Sequence, residues 1–297
     1  PITQLVLDES ALRLLSNASR LYRLLGYLAI WPTMYSLGVY AITSLAMYGN
    51  LELDTRTIAY ILLVAHACYL FDRVKFTDHR QDPADAIALP TRAIIFSQHS
   101  QLIRALIGIE LIAATITGSC IHPLLAIIPL MAMFVVHIYA GRGATPDSPR
   151  LKDLPILKAF IIAGGHVALV LVVLWSNQLL NIAHIQRTEL MITIGVWLIV
   201  AGDAVLCDID DLDADRAYRT QSLAVAYGSQ RAWHAATGFM FIGSLLLTLA
   251  TESVTLLLAV GTSLIMTTMI TRHNTNHRDF VDFRLLPIVL LFTWVLN

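Results

Sequence analysis

The sequence predicts an all-α polytopic membrane protein, a bundle of nine transmembrane helices with the mouth of its active site on the cytoplasmic side. Of the 297 residues, 57% are hydrophobic and only 14% are charged, whereas soluble domains carry about 25% charged residues. Nine apolar stretches qualify as spans of a bilayer core of about 30 Å, which takes about 20 helical residues, or fewer when neighbouring helices shelter the ends. The basic residues gather in the loops of one side, as they do in cytoplasmic loops.

Residues 1–23 precede the first apolar stretch and form a separate segment. Leu14, Leu15, Ala18 and Leu21 recur at helical spacing in this segment, which predicts an amphipathic helix lying in the membrane interface. The alternative is a simple extension of the first span. Residues 24–297 are expected to form a single transmembrane domain.

The nine expected spans follow one another with short connections on one side and longer ones on the other. They are Leu24–Tyr48, Thr57–Phe71, Leu102–Cys120, Pro123–Ala140, Pro155–Trp175, Leu190–Leu206, Ala232–Ala250, Val254–Ile270 and Phe283–Leu296. The last stretch is short for a complete span.

The basic residues predict the orientation of the bundle. With nine spans and a cytoplasmic N-terminus, every Lys and Arg except Arg56 and Arg187 falls on the cytoplasmic side, which satisfies the positive-inside rule. The long polar loops, Asp72–Gln101, Gly141–Leu154, Asp208–Arg231 and Thr271–Asp282, lie on that side too. The candidate site is therefore expected at the cytoplasmic face of an integral, multi-pass protein.

The net charge argues against nucleic-acid binding, and the spacing of the cysteines argues against a disulfide framework or a cysteine metal site. The formal net charge is −1, so bulk charge indicates no binding of nucleic acid. Cys68, Cys120 and Cys207 have neither the spacing of a disulfide framework nor that of a metal knuckle. We interpret them as reduced packing residues.

Five aspartates crowd into eight residues at the end of the sixth stretch, where Asp208, Asp211 and Asp215 would share one helix face. Asp210 and Asp213 would point elsewhere. Three carboxylates on one face repel one another unless a cation lies between them. Oxygen ligands at this density suit Mg²⁺, which carboxylates and substrate phosphates often bind jointly. The simpler interpretation is a solvated acidic helix end.

Basic residues near these carboxylates are candidates for binding phosphate oxygens. Arg216 and Arg219 directly follow the aspartates, and others lie in the two preceding cytoplasmic loops. The candidate set is Arg73, Lys75, Arg142, Lys152, Lys158, Arg216 and Arg219. For each of them, the alternative role is to satisfy the positive-inside rule alone.

Polar residues within the spans are expected to face the bundle interior, because they are costly in lipid. Glu110 lies in the middle of the third span and is expected to bridge helices through a hydrogen bond. Asp203 lies about one and a half turns before Asp208 and is expected to line the same chamber. His66, His137 and His166 are interpreted as packing residues.

One motif resembles a known family. Asp211-Leu-Asp-Ala-Asp215-Arg216, followed by Gln221-Ser-Leu-Ala-Val-Ala-Tyr-Gly228, resembles the second aspartate-rich motif of the UbiA superfamily of intramembrane prenyltransferases. Asp208 resembles the leading aspartate of that motif. The spacing joins charged and apolar positions, which makes the match specific.

The first aspartate-rich motif of that family is only partly present. When the loop is aligned on Phe71-Asp72-Arg73, Asp72 takes the middle of three aspartate positions. Cys68 and Tyr69 stand where the family has asparagine and its first aspartate, and Phe76 stands at the third aspartate. The chain thus resembles a divergent member with a degraded first motif.

The resemblance implies Mg²⁺-assisted transfer of an isoprenyl group from a prenyl diphosphate to a lipophilic or aromatic acceptor. It implies that Asp72, Asp208, Asp211 and Asp215 are the catalytic and metal-binding residues. Two alternatives remain open. One is a terpene cyclase of the same fold, and the other is a non-catalytic lipid- or pigment-binding subunit of a membrane complex.

Overall fold

The computed structural model describes most of the chain between residues 20 and 285. The described residues are 20–49, 51, 54–77, 84–140, 150–154, 157–181, 184–217, 220–252, 277–278, 281–282 and 284–285. Most of the expected N-terminal amphipathic helix lies outside the described residues, as do the eighth expected span and nearly all of the ninth. These three predictions therefore stay predictions.

The described part of the chain is helical throughout, and its helices follow the expected spans closely. Two short 3₁₀ turns, Pro123–Ala126 and Leu151–Asp153, join some of the helices. The α-helices are α1 Arg20–Tyr27, α2 Ile30–Tyr48, α3 Thr55–Val74, α4 Ala84–Ala88, α5 Pro90–Gln98, α6 Ser100–Ile121, α7 Ile128–Ala140, α8 Leu157–Ser176, α9 Arg187–Asp210, α10 Leu212–Ala217, α11 Leu223–Tyr227 and α12 Ser229–Thr251.

Five of these helices, α3, α6, α8, α9 and α12, are long and apolar enough to cross a membrane, and α1 with α2 makes a sixth if the bent pair is one span. Helix α7 is shorter, because the expected fourth span begins with the 3₁₀ turn. The all-helical membrane fold is thereby confirmed. The count of nine helices and the cytoplasmic mouth remain predictions.

The first expected span is bent by 71° between α1 and α2. Ala29 at the bend has φ 62°, a left-handed conformation that an L-residue adopts only at a cost. The carbonyl of Leu28 accepts a hydrogen bond from Nε2 of His66 at 2.8 Å, and Nδ1 of the same ring lies 2.6 Å from Glu110. The expected bridge from Glu110 thus exists, and it extends from α6 through α3 to the bend.

Helix α9 is the centre of the described part of the bundle. Helix α12 packs along it, and α2 and α8 pack on other parts of its surface. Gly195 of α9 and Gly243 of α12 permit a close approach, because a Cβ added at Gly195 would lie 2.8 Å from the carbonyl oxygen of Gly243. Helices α3, α6 and α7 form a second group that packs against α2.

Large apolar side chains cover the outside of the described bundle. Leu102, Ile109, Ile112 and Ile116 are exposed along α6, and their spacing places them on one face. Further exposed apolar side chains are Leu130, Phe134, Phe241, Leu245 and Leu249 on α7 and α12. Such a surface suits contact with lipid and leaves the charged residues for the ends and interior of the bundle.

Candidate active site

The centre of the candidate site is the side chain of Lys158. Its ammonium lies 2.7 Å from Oδ1 of Asp208 and 3.1 Å from Oδ2 of Asp215. Lys158 belongs to the first turn of α8, Asp208 to the last turn of α9 and Asp215 to α10. All three side chains are nearly buried. The cation that the crowded carboxylates require is thus supplied by a lysine of the same chain.

The predicted common face of Asp208, Asp211 and Asp215 is interrupted because α9 ends at Asp210. Asp211 is the C-terminal cap of α9, with φ −90° and ψ 6°, and its carboxylate accepts a hydrogen bond from Arg278 at 2.7 Å. Asp208 and Asp215 still converge, since α10 starts directly after this turn. Asp208 and Asp215 therefore pair with Lys158, whereas Asp211 pairs with Arg278.

Asp210 and Asp213 have different environments, although both were expected to point away from the site. Asp210 lies 2.6 Å from Nδ1 of His277 and accepts hydrogen bonds from the backbone N–H groups of His277 and Arg278. It therefore attaches the 277–278 segment to the end of α9. Asp213 is 92% exposed, and its carboxylate lies 3.9 Å from the Arg216 guanidinium. So long a contact between exposed side chains is too weak to position either of them.

The surroundings shift the pKa values of Asp211 and Asp215 in opposite directions. Burial raises the pKa of Asp215, and the nearby Lys158 offsets this only in part. Burial also acts on Asp211, but Arg278 and Lys158 outweigh it and lower the pKa of Asp211 below its ordinary value. Asp211 in turn raises the pKa of Arg278. The Asp211–Arg278 pair is therefore charged at neutral pH.

The end of α3 carries the remaining predicted carboxylate. Asp72 pairs with Lys75 at 2.6 Å, and the Lys75 ammonium also donates to the backbone carbonyl of Asp72. Lys75 is only 1% exposed, whereas the Asp72 side chain is 40% exposed. Arg104 donates to the carbonyls of Val74 and Lys75, the last two in this turn. The turn is thus held rigidly and leaves Asp72 accessible.

Arg73 is a charged group of the site without an ion-pair partner among the described residues. Its side chain is partly buried, and its Nε atom is buried without a hydrogen-bond acceptor. A buried guanidinium N–H without an acceptor costs free energy. An anionic ligand would satisfy it.

Tyr139 at the end of α7 lies near both Asp72 and the Asp208–Asp215 pair. It lies within electrostatic range of Lys158, Asp72, Asp208 and Asp215. The ends of α3, α7 and α9 and the start of α8 therefore meet at one end of the bundle. The sequence predicted this meeting from the side on which the loops lie, and the structure brings these side chains together.

Lys152 is held near Asp72 by the 3₁₀ turn Leu151–Asp153, and the two charges interact. Arg150, next to this turn, is buried, pairs with Asp153 at 2.7 Å and donates to Thr220 at 3.0 Å. This contact ties the loop before α8 to the segment that follows the aspartates.

Three of the predicted phosphate-binding residues are not placed in the site. Arg216 is 56% exposed and its nearest carboxylate is that of the solvated Asp213, because α10 turns it away from Lys158. Arg142 and Arg219 lie outside the described residues. For these three residues the role stays a prediction.

A polar network lies deeper in the bundle. Asp203 accepts hydrogen bonds from Tyr35 at 2.6 Å and from Arg284 at 2.7 Å. Tyr69 lies 2.8 Å from Nε2 of His166, and Nδ1 of that ring lies 3.2 Å from Ser36. Tyr69 occupies the position where the resemblance expects an aspartate, and it bonds to a histidine instead of binding a cation.

Sequence reasoning missed two arginines near the aspartates, Arg278 and Arg92. Arg278 pairs with Asp211, and Arg92 is buried in α5 and lowers the pKa of Asp211 from nearby. Both belong to polar loops that were assigned to the same face. That shared face was the available signal, but the pairing depends on how the loops fold.

The residues do not fit the magnesium site that the carboxylates predicted. The space between Asp208 and Asp215 contains the ammonium of Lys158, and Asp211 and Asp72 each pair with a cationic side chain. Among the described residues, no group of three or more His, Cys, Asp or Glu side chains is arranged to hold a metal ion. The cation expected between the carboxylates is thus present as an ammonium group.

Comparison with known proteins identifies the fold. No protein-family model matches the sequence, and no curated protein sequence matches it. The structure is similar to that of a UbiA homolog from Archaeoglobus fulgidus, with a TM-score of 0.62 and 13% sequence identity over 92% of this chain and 98% of the other.

Two structures of the same archaeal homolog with ligands are also similar. The one bound to GPP and Mg²⁺ has a TM-score of 0.63 and 13% identity over 92% of this chain and 98% of the other. The one bound to DMAPP and Mg²⁺ has a TM-score of 0.55 and 13% identity over 91% of this chain and 98% of the other. The resemblance to the UbiA superfamily is confirmed at the level of the fold, and this chain has the fold of the UbiA homologues.

Proposed function

We propose that this chain is a membrane-embedded prenyltransferase that moves an isoprenyl group from a prenyl diphosphate to a lipophilic or aromatic acceptor. The observation that carries the proposal is the meeting of Asp72 with the Asp208–Asp215 cluster around Tyr139 at one end of the bundle. Solved structures with the same fold contain GPP or DMAPP, and both compounds are prenyl diphosphates.

The charged end of the bundle would bind the diphosphate, and the apolar helices would surround the isoprenoid tail. The bond between the allylic carbon and the diphosphate oxygen breaks, and its electron pair leaves with the diphosphate. The acceptor then supplies the electron pair of the new bond and loses a proton. An isoprenoid tail between apolar helices needs no contact with water, so the donor can enter from the bilayer.

The negative charge that develops on the leaving diphosphate requires fixed positive charge. Lys158 binds Asp208 and Asp215, and Lys152 and Arg73 interact electrostatically with Asp72. Arg73 has a buried N–H to donate, and an arginine can bind two phosphate oxygens at once. Arg278 and Lys75 hold Asp211 and Asp72 in place rather than facing the donor.

Mg²⁺ is present with the donors in the archaeal structures. In this chain the carboxylates that would bind the metal are already paired with Lys158, Arg278 and Lys75. We therefore assign the stabilisation of the leaving group to the basic side chains and no step to a metal ion.

The membrane orientation belongs to the same proposal. With the N-terminus and the aspartate-rich loops in the cytoplasm, the basic residues around the site satisfy the positive-inside rule. The donor diphosphate would then enter from the cytoplasmic face.

The test is prenyl transfer by the purified protein in nanodiscs, with labelled farnesyl or geranylgeranyl diphosphate and a lipid extract as the source of acceptor. Asp208→Asn and Asp215→Asn are expected to abolish transfer. Asp213→Asn is the matched control, because this aspartate is 92% exposed. Wild-type activity in Asp208→Asn and Asp215→Asn, or no turnover of either donor, would contradict the proposal.

The same experiment separates the two alternatives. A terpene cyclase releases diphosphate and forms a hydrocarbon or alcohol without added acceptor. A non-catalytic subunit binds a lipid or pigment and consumes no donor. The replacement of the first-motif aspartate by Tyr69, which is bonded to His166, is the observation that favours this second alternative.

A further inference from the structure

The position of Lys158 in the fold has an unusual feature. It lies in the first turn of α8, where the helix dipole disfavours a cation. The side chain nevertheless lies between Asp208 and Asp215 and is only 12% exposed. The two carboxylates therefore determine where this ammonium lies.

The geometry around the ammonium resembles that of a small cation shared by two carboxylates. One oxygen lies at 2.7 Å and the other at 3.1 Å, and they come from two different helices. An ammonium has three N–H donors, and the contacts to Asp208 and Asp215 use two of them. Among the described residues, only these two carboxylates pair with the ammonium, so the third donor can bind an oxygen of a ligand.

A divalent cation at this pair would lie next to the ammonium and be repelled by it. It would also have to share the carboxylates of Asp208 and Asp215, each of which already gives one oxygen to Lys158. The neighbouring carboxylates offer no substitute, because Asp211 pairs with Arg278 and Asp72 pairs with Lys75.

The part of the site on α3 also lacks a carboxylate that the resemblance expects. Tyr69 stands at a position where the resemblance expects a metal-binding aspartate, and its hydroxyl is bonded to His166. The α3 side of the site thus keeps Asp72 but has Tyr69 where an aspartate is expected, and a lysine ammonium lies between the carboxylates of the other side.

We propose that Lys158 takes the place of a metal ion at the Asp208–Asp215 cluster, so that the site binds a prenyl diphosphate through an ammonium of the chain without Mg²⁺. The inference rests on the proposed function for the identity of the ligand. Lys158 holds the two carboxylates together and presents its third N–H to a phosphate oxygen.

The first test measures donor binding by the wild-type protein, without turnover. Binding of farnesyl S-thiolodiphosphate to the protein in nanodiscs is measured with Mg²⁺ and with EDTA. The dissociation constants are expected to agree within about threefold. A loss of about 30-fold or more in EDTA, about 2 kcal/mol, would overturn the proposal.

The second test asks whether Lys158 fills a latent metal site. Mn²⁺ binding is followed by electron paramagnetic resonance in the wild type, in Lys158→Met and in Lys158→Met/Asp208→Asn. Lys158→Met is expected to bind Mn²⁺ at least about tenfold more tightly than the wild type, about 1.4 kcal/mol, and the double variant is expected to lose the gain. Equal affinity in the wild type and Lys158→Met would overturn the proposal.

The binding tests can contradict the role of Lys158 without contradicting prenyl transfer, and the transfer test can do the opposite. Metal-independent binding of the analogue with no turnover of any donor would support the role of Lys158 and contradict prenyl transfer. Turnover together with Mg²⁺-dependent binding of the analogue would support prenyl transfer and contradict the role of Lys158. If Lys158→Met does not fold, the wild-type analogue binding still decides the proposal.

Discussion

Gly195 and Gly243 face each other across the contact between α9 and α12. A Cβ added at Gly195 would lie 2.8 Å from the carbonyl oxygen of Gly243, and one added at Gly243 would lie 2.5 Å from that of Gly195. Both distances are too short for a side chain, so the two backbones touch directly. This contact fixes the packing of α12 against α9, the helix that carries Asp208 in its last turn.

Gly243→Ala is expected to destabilise the protein by about 1–3 kcal/mol, since a methyl group here must separate two helix backbones. The measurement is thermal unfolding in detergent. Gly165→Ala is the control, because nothing lies within 4 Å of its added Cβ and alanine favours a helix over glycine by roughly 0.5–1 kcal/mol. Equal losses in both variants would contradict the close packing.

Lys158→Met is expected to cost about 3–5 kcal/mol, because it leaves the buried carboxylates of Asp208 and Asp215 without their cation. Asp208→Asn is expected to cost less, since Lys158 keeps Asp215. In a double-mutant cycle, Lys158→Met/Asp208→Asn should lose less than the sum of the single losses. Additive losses in thermal unfolding would show that the two side chains do not interact.

The acid dependence of stability is expected to differ in sign between Asp211 and Asp215. The folded-state pKa of Asp211 is lowered, so its contribution is present above its ordinary pKa, about 3.9, and is lost as the pH falls through the lowered value. The folded-state pKa of Asp215 is raised. Its contribution is therefore present below the ordinary pKa and is lost as the pH rises through the raised value.

Unfolding temperatures between about pH 3 and about pH 7 test this difference. The deficit of Asp211→Asn relative to the wild type should shrink toward acid pH. The stability of Asp215→Asn relative to the wild type should increase as the pH rises. Parallel pH profiles for the two variants would show that Arg278 and burial do not shift the pKa values of the two carboxyl groups in opposite directions.

His66→Phe is expected to destabilise the protein by about 2 kcal/mol or more, because the Leu28 carbonyl and the Glu110 carboxyl both lose a partner in an apolar interior. Glu110→Gln keeps a hydrogen-bonding group beside the His66 ring and is expected to cost less than about 1 kcal/mol. The two variants are compared by thermal unfolding in detergent. An equal cost for both would show that the charge of Glu110, and not the hydrogen bond, stabilises the bend at Ala29.

The sequence alone was sufficient to predict most of the described helices. Each of the seven expected spans between Leu24 and Ala250 corresponds to a helix or a pair of helical segments. This succeeds because the length and apolarity of a membrane helix are local properties of the chain. The position of Asp208 at the end of such a stretch was visible for the same reason.

The bend in the first span could not be predicted from the local sequence. No proline lies at Ala29, and the conformation there is accompanied by a hydrogen bond from His66 of α3, 38 residues away, to Leu28. Similarly, α9 ends at Asp210, where that carboxylate binds the backbone of His277 and Arg278. In each case the local geometry coincides with a contact to a distant part of the chain.

The sequence predicted a cation among the aspartates, because crowded carboxylates repel one another unless solvent or a cation separates them. Only the tertiary structure decided which cation it is. Lys158 is 50 or more residues from Asp208 and Asp215, and Arg278 is 67 residues from Asp211. These pairs exist because α8, α9 and the 277–278 segment meet at one end of the bundle, and no helical periodicity specifies that meeting.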